Sequence, residues 1–156
     1  ISLAEFDGGD FMNIKLKSMV LGSGLAMIVY QIAIQLLGYT AAIAIPAPIA
    51  HWAIENSAQI FLLFVWDLLV VQFLGIGILA ALAVFFALRL APLNWLYVGL
   101  SFIITETLIA ILDLWALSSS QFLSITNLLT LTPHFIAVSM CVLAAAKFGG
   151  KNQAAV

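Results

Sequence analysis

Charged residues are scarce in this chain of 156 residues: only 8% are Asp, Glu, Lys or Arg, whereas 65% are hydrophobic. About a quarter of the residues in a soluble domain are charged. A soluble domain of this length has too small an interior to hide so much apolar surface from water. The composition therefore predicts an integral membrane protein, with the lipid bilayer as its solvent.

Basic residues, cysteine and histidine are also few, and each shortage excludes a class of protein. Five Lys and Arg residues are too few for a nucleic-acid-binding surface. The single cysteine, Cys141, allows neither an internal disulfide nor a cysteine-built metal site. Only two histidines are present, so paired haem ligands within the helices are not expected. We predict no cofactor, no metal ion and no nucleic-acid partner.

The apolar residues fall into four long segments, which are separated by short connections. Each segment exceeds the roughly 20 residues that a helix needs to cross a bilayer. We therefore predict an all-α polytopic membrane protein, a bundle of four transmembrane helices, with spans at about 18–45, 59–88, 93–117 and 123–147. The transmembrane domain covers 15–148. A polar segment, 1–14, precedes it, with Met12 as a candidate initiator, and a tail, 149–156, follows it.

All the basic residues flank one side of the membrane once these four spans are drawn. They are Lys15, Lys17, Arg89, Lys147 and Lys151. Cytoplasmic flanks carry an excess of Lys and Arg. We expect both termini in the cytoplasm, and the chain in an inner or plasma membrane.

Two carboxyl groups lie within the third span. Glu106 is at its middle and Asp113 is near one end, seven residues further on, so the two share one face of a helix. An ionisable carboxyl group in hydrocarbon costs about 3 kcal/mol on insertion scales. This face should therefore meet other helices or water. An ionisable residue at such a depth is a functional hypothesis by default.

Polar and small residues also share one helical face in the first and fourth spans, at spacings of three, four and seven residues. In the first span they are Gly24, Gln31, Gln35 and Gly38. In the fourth they are Asn127, Thr130, His134 and Cys141. In the second span Asp67 and Gln72 are about 140° apart on an α-helix, so both border the interior only if that interior is wide.

The depths of these side chains, counted from the span ends, suggest a site. Near the midplane lie Gln31, Gln72, Glu106 and His134. In the outer half lie Gln35, Asp67, Asp113, Asn127 and Thr130. The inner half is almost wholly apolar. We predict that these polar residues line a ligand- or ion-binding pocket, which opens to the outside and is floored near Glu106 and His134.

A purely structural interpretation stands beside this one. Gln, Asn and Thr in membrane helices often hydrogen-bond to neighbouring helices, each bond contributing about 0.6 kcal/mol. Small residues four apart allow helices to approach closely, within the bundle or between copies. Such pairs are Ser18 and Gly22, Gly77 and Ala81, and Ala137 and Cys141.

Three functional classes follow. The first is a small transporter or channel-like protein, or a subunit of one, that binds a small cationic or protonatable species, with Glu106 as the central titrating group. The second is a non-catalytic subunit, assembly factor or anchor, packed in a homo-oligomer or a larger membrane complex. The third is an intramembrane enzyme that uses Asp67 and Asp113. We favour the first and assign no catalytic residue; the ligand is a small solute, a proton or a lipid.

Overall fold

The structure, a computed structural model, describes the backbone of residues 8–117 and 125–150 and the side chains of residues 13–116 and 131–150. Throughout those backbone ranges the regular structure is helical, as the sequence predicts. It comprises α1 (Gly8–Ala41), α2 (Ala47–Glu55), α3 (Gln59–Leu90), α4 (Trp95–Leu117) and α5 (Ile125–Gly150). Helix α2 is a short segment in the first connection.

Four of these helices are long and apolar enough to cross a membrane. The qualifying stretches are Asn13–Ala41, Gln59–Leu90, Trp95–Ala116 and Leu131–Gly150. Their outward surfaces are also apolar, with exposed side chains such as Ile28, Ile60, Leu108 and Met140. A soluble monomer rarely exposes a continuous apolar patch of more than a few hundred Å². This surface is therefore suited to lipid.

The four long helices form a ring of contacts. Helix α1 packs against α4 and against the middle of α3, and α5 packs against α3 and α4. Helices α3 and α4 are consecutive but touch only slightly, so they lie diagonally across the bundle. The enclosed core is mainly small or branched and apolar, and includes Ala26, Ala33, Ile76, Val84, Phe102 and Val138.

A glycine sets how closely α1 and α4 approach. A Cβ atom added to Gly22 would lie 2.1 Å from Ser101 Oγ and 2.5 Å from the carbonyl oxygen of Val98. Nearby, the hydroxyl of Thr105 donates to Ser23 Oγ at 2.9 Å. Close approach at a small residue, reinforced by hydrogen bonds between helices, is the usual way in which membrane helices associate.

The loop between α3 and α4 is tied to α1 by hydrogen bonds. Ser18, fully buried, accepts a bond from the backbone N–H of Asn94 at 2.9 Å and donates to the carbonyl of Ile14 at 2.7 Å. Asn94 Oδ1 in turn accepts from the N–H of Leu96 at 3.1 Å, which satisfies one of the free donors at the start of α4.

The first long helix ends earlier than the span expected at 18–45, because residues 42–45 are not helical. The residue before a proline is biased away from helical geometry, and Pro46 follows directly. The carbonyl of Ile43 is instead used by the next helix, since it accepts a hydrogen bond from Trp66 Nε1 at 3.2 Å. This contact holds the end of α1 beside the start of α3.

The middle of α3 is not an ordinary α-helix. Residues Asp67–Gly77 are π-helical, with hydrogen bonds from residue i to residue i+5. Next to this segment the hydroxyl of Thr40, on α1, lies 3.1 Å from the carbonyl oxygen of Val71 and can donate to it. π-Helical turns often mark functional sites in proteins.

The described basic residues gather at one end of the bundle. Lys15 Nζ lies 5.5 Å from the centre of the Tyr97 ring, near the start of α4. Arg89 is at the end of α3, where its guanidinium group lies 5.1 Å from the centre of the Phe85 ring. Lys147 is in the last turn of α5. Lys151 lies outside the described residues.

Candidate functional site

The centre of the bundle holds a carboxyl group paired with an imidazole. Glu106, on α4, is fully buried, and His134, on α5, is 8% exposed. His134 Nε2 and Glu106 Oε1 are joined by a hydrogen bond. His134 directly follows Pro133, which lies inside the helix. The sequence places Glu106 and His134 at one depth, and the structure brings them into direct contact.

Gln72 holds the other side of the imidazole. Its Oε1 lies 2.8 Å from His134 Nδ1, and its Nε2 donates to Asp67 Oδ1 at 3.4 Å. In this orientation the amide directs its NH₂ group towards Asp67, which accepts from it as a carboxylate, and its oxygen towards His134. His134 Nδ1 therefore carries a hydrogen, and donates it to Gln72.

This arrangement leaves one proton to be shared between His134 and Glu106. With Nδ1 already protonated, the bond between Nε2 and Oε1 contains one more proton. If the proton is on the imidazole, the two groups form an ion pair, and if it is on the carboxyl group, both are neutral. The pair has no net charge in either form, so a proton can move along the bond without changing the net charge of the buried site.

The π-helical segment explains how Asp67 and Gln72 come together. On an α-helix these two residues are about 140° apart. In a π-helix, residues five apart in sequence lie above one another, because the backbone bonds run from i to i+5. The π segment thus places Gln72 between Asp67 and His134, and extends the polar network Asp67–Gln72–His134–Glu106 across three helices.

One buried oxygen of this network has no hydrogen-bond partner among the described residues. Glu106 Oε2 is buried, and none of the described residues hydrogen-bonds to it. An unsatisfied buried oxygen of a carboxyl group costs about 1–3 kcal/mol or more. In a native protein such an atom calls for an explanation, such as an unobserved water or ion or a catalytic or binding role.

A cavity adjoins the network. It has a volume of about 240 Å³, lies between α4 and α5, and is lined by His134 together with residues such as Thr107, Ala110 and Leu131. Each water molecule needs about 30 Å³, so the cavity has room for several waters or for one small organic cation. Its wall is largely apolar, whereas the sequence predicts a polar pocket that opens to the outside.

Asp113 makes a separate polar contact. It lies near the end of α4, on the same helix face as Glu106. Tyr30, on α1, is buried and donates its hydroxyl hydrogen to Asp113 Oδ2 at 2.5 Å. Sequence reasoning did not select Tyr30. Its position could have indicated a role. Tyrosines of membrane proteins concentrate at the interfaces, whereas this one lies within the span.

The two aspartates thus have different partners. Asp67 is bonded to Gln72 on its own helix, and Asp113 is bonded to Tyr30. They belong to α3 and α4, the helices that touch only slightly. An enzyme that used both carboxyl groups on one water molecule would need them side by side.

The remaining predicted residues lie elsewhere. Gln31 and Gln35 are exposed on the outer surface of α1, so they do not join the network around Glu106. The backbone of Asn127 and Thr130 is part of α5, but their side chains lie outside the described residues. The structure thus gathers four of the predicted residues, Asp67, Gln72, Glu106 and His134.

The described residues hold no cluster suited to a coordinated metal centre. Within the part of the chain that the structure describes, no three His, Cys, Asp or Glu side chains come close enough to hold one.

Comparison with protein-family models, with curated proteins and with solved structures finds no match to this chain.

Proposed function

We propose that this chain is a small multi-pass protein of an inner or plasma membrane, with both termini in the cytoplasm. It acts as a transporter or channel-like protein, or as a subunit of one, and exchanges a proton for a small cation at Glu106 and His134. The observation that carries the proposal is the buried Glu106–His134 pair, in which no described residue hydrogen-bonds to one oxygen of the carboxyl group.

Charge balance is the physical reason for exchange. An unpaired charge buried at this depth costs several kcal/mol, so the pair is stable only while its net charge is zero. The shared proton supplies that balance when the site is empty. A cation bound to the Glu106 carboxylate supplies it equally well, and His134 then gives up the proton and stays neutral. Binding of a cation therefore releases a proton.

The unpaired oxygen and the adjoining cavity support a small ligand. Glu106 Oε2 offers lone pairs that no described residue uses. The cavity of about 240 Å³ reaches His134, which hydrogen-bonds to the other oxygen of the same carboxyl group. A compact ammonium ion, which donates hydrogen bonds in several directions, suits the unpaired oxygen. Glu106 itself does not line the cavity, so the cation would pass His134 to reach it.

The aspartates favour a cation over an anion. Asp67 extends the network towards the start of α3, the end of the bundle opposite the basic residues. Asp113 lies towards the same end, near the close of α4. Negative side chains in an entry path raise the local concentration of cations, and they oppose anions. In the proposed topology this end faces the outside of the cell.

Proton release on cation binding is the experiment that tests the proposal. Purified protein in weakly buffered detergent, with a pH-sensitive dye, is titrated with ammonium, methylammonium, sodium and potassium ions. We expect one of these cations to release about one proton for each protein molecule at saturation. Glu106→Gln should abolish the release, whereas the matched control Glu55→Gln, at an exposed acid on α2, should leave it unchanged.

Infrared difference spectra of the same samples locate the proton. Addition of the active cation should change the carboxyl bands in wild-type protein, and Glu106→Gln should remove that change. If none of the four cations releases protons, or if folded Glu106→Gln protein releases them as wild type does, the exchange proposal is wrong. The buried pair is then structural, as expected of a non-catalytic membrane subunit.

A further inference from the structure

The polar stripe of α1 faces away from the bundle. With 100° per residue, Gln31, Gln35 and Gly38 lie within about 40° of Gly24 around the helix. The buried residues of α1 lie on the opposite side, about 120–240° from Gly24. They include Ala26, Val29, Tyr30 and Ala33. Both glutamines are exposed, so this stripe points outwards from the protein.

Both glutamines lie at depths where the surroundings are hydrocarbon. The membrane-spanning part of α1 is Asn13–Ala41, with its middle near residue 27. At 1.5 Å per residue, Gln31 is about 6 Å and Gln35 about 12 Å from the middle. Both fall within the half-thickness of about 15 Å of the hydrocarbon core. Lipid tails offer an amide no hydrogen-bond partner, and another protein surface at this face would supply one.

A second copy of this chain provides that surface. The side-chain amide of Gln has both donors and an acceptor, so two glutamines related by a two-fold axis can bond to one another reciprocally. The sequence predicts that all the basic residues flank one side of the membrane, which would give every copy the same orientation. Two α1 helices that meet are therefore parallel, and Gln31 and Gln35 each meet their own counterparts at the same depth.

Glycines on the stripe permit close contact. A Cβ atom added to Gly24 or Gly38 would meet nothing within 4 Å, so the backbone of α1 is uncovered at both positions. Uncovered glycines let the two helix backbones approach, as in other membrane dimers.

Lys17 lies on the same stripe, about 21 Å along the axis from Gln31. A crossing angle of about 40° near the glutamines separates the two lysines.

We infer that the α1 face formed by Gly24, Gln31, Gln35 and Gly38 is a dimer interface between two copies of this chain. The amide pairs of Gln31 and Gln35 are the polar contacts at its centre. This inference does not depend on the proposed exchange at Glu106, because Glu106 lies inside the bundle, away from this face.

Disulfide cross-linking in membranes tests the geometry. Cys141 is first replaced by Ser, so that the chain has no other thiol. Gln31→Cys is then compared with the matched control Ile32→Cys, which is also exposed but lies about 100° around the helix. Under mild oxidation we expect a disulfide-linked dimer for Gln31→Cys, and little for Ile32→Cys. Equal cross-linking at both positions, or none at either, overturns the proposed interface.

A second variant tests the amides without introducing thiols. Replacing both glutamines by Leu removes two pairs of hydrogen bonds and should lower the association constant in liposomes about tenfold. Ile32→Leu is the matched control and should not change it. Single-molecule photobleaching counts the copies per particle. Monomers in wild type, or an unchanged dimer in the double Gln→Leu variant, contradict the inference, as does cross-linking of Gln31→Cys to a different protein alone.

Discussion

Gln72 Oε1 lies 2.8 Å from His134 Nδ1, and this contact fixes where the protons of the buried network are. The same amide donates to Asp67, and its oxygen faces the imidazole. Outer partners of a histidine determine its tautomer and orientation in many functional sites. Here that partner keeps Nδ1 protonated and leaves Nε2 to exchange a proton with Glu106.

The first prediction concerns the tautomer of His134. Glu106→Gln replaces the carboxyl group by an amide that can donate to Nε2, so the imidazole should be neutral with its hydrogen on Nδ1. Nitrogen NMR of protein labelled at histidine distinguishes the two neutral tautomers. His51, in α2, is exposed and serves as the internal reference for an unconstrained imidazole. A hydrogen on Nε2 of His134 in this variant would show that Gln72 is oriented the other way.

The second prediction concerns stability. Gln72→Leu removes the acceptor of His134 Nδ1 and leaves a buried donor unpaired, which costs about 1–3 kcal/mol. Thermal unfolding in detergent should show a clear decrease in Tm. The matched control is Gln59→Leu, since Gln59 is exposed at the start of the same helix, and its Tm should change little. Equal Tm values for the two variants would mean that the contact adds nothing to stability.

The sequence predicts the helices and half of the site for physical reasons. Long apolar segments have few alternatives to membrane helices, so the number of spans follows directly. Glu106 and His134 are near the middle of their segments, and depth in a bundle can be counted from either end. Their contact can therefore be predicted from the sequence, although the order of neighbouring helices cannot.

Two features could not be predicted in this way. Asp67 and Gln72 meet because α3 is π-helical between Asp67 and Gly77, and a count of 100° per residue assumes an α-helix. Gln31 and Gln35 share a face, as predicted, but that face points outwards. Periodicity shows which residues lie together on a helix. It does not show whether their partner belongs to the same chain.

The third prediction concerns the contact between Tyr30 and Asp113. Tyr30→Phe removes the hydroxyl group that donates to Asp113 Oδ2 and should destabilise the protein by about 1–3 kcal/mol. Tyr39→Phe is the matched control on the same helix, because Tyr39 is 76% exposed. In a double-mutant cycle with Asp113→Ala, which removes the acceptor, the two changes should be non-additive, since both act on one bond. Additive changes in unfolding free energy would contradict this contact.

The last prediction compares two glycines of α1 that lie on opposite sides of the helix. Alanine is favoured over glycine within a helix by about 1 kcal/mol, so on propensity alone both Gly→Ala changes should stabilise α1. At Gly22 the added Cβ would lie 2.5 Å from the carbonyl oxygen of Val98, and backbone cannot move aside as a flexible side chain does. Gly22→Ala should therefore push α1 away from α4.

The expected cost of that displacement is about 1–3 kcal/mol, the usual range for overpacking, and it outweighs the gain in propensity. Gly24→Ala is the matched control, because its Cβ would meet nothing within 4 Å. It should leave Tm unchanged or raise it slightly. Unfolding in detergent, where both variants can be compared as monomers, gives the two values. A Gly22→Ala protein as stable as Gly24→Ala would mean that α1 and α4 do not pack as closely as described.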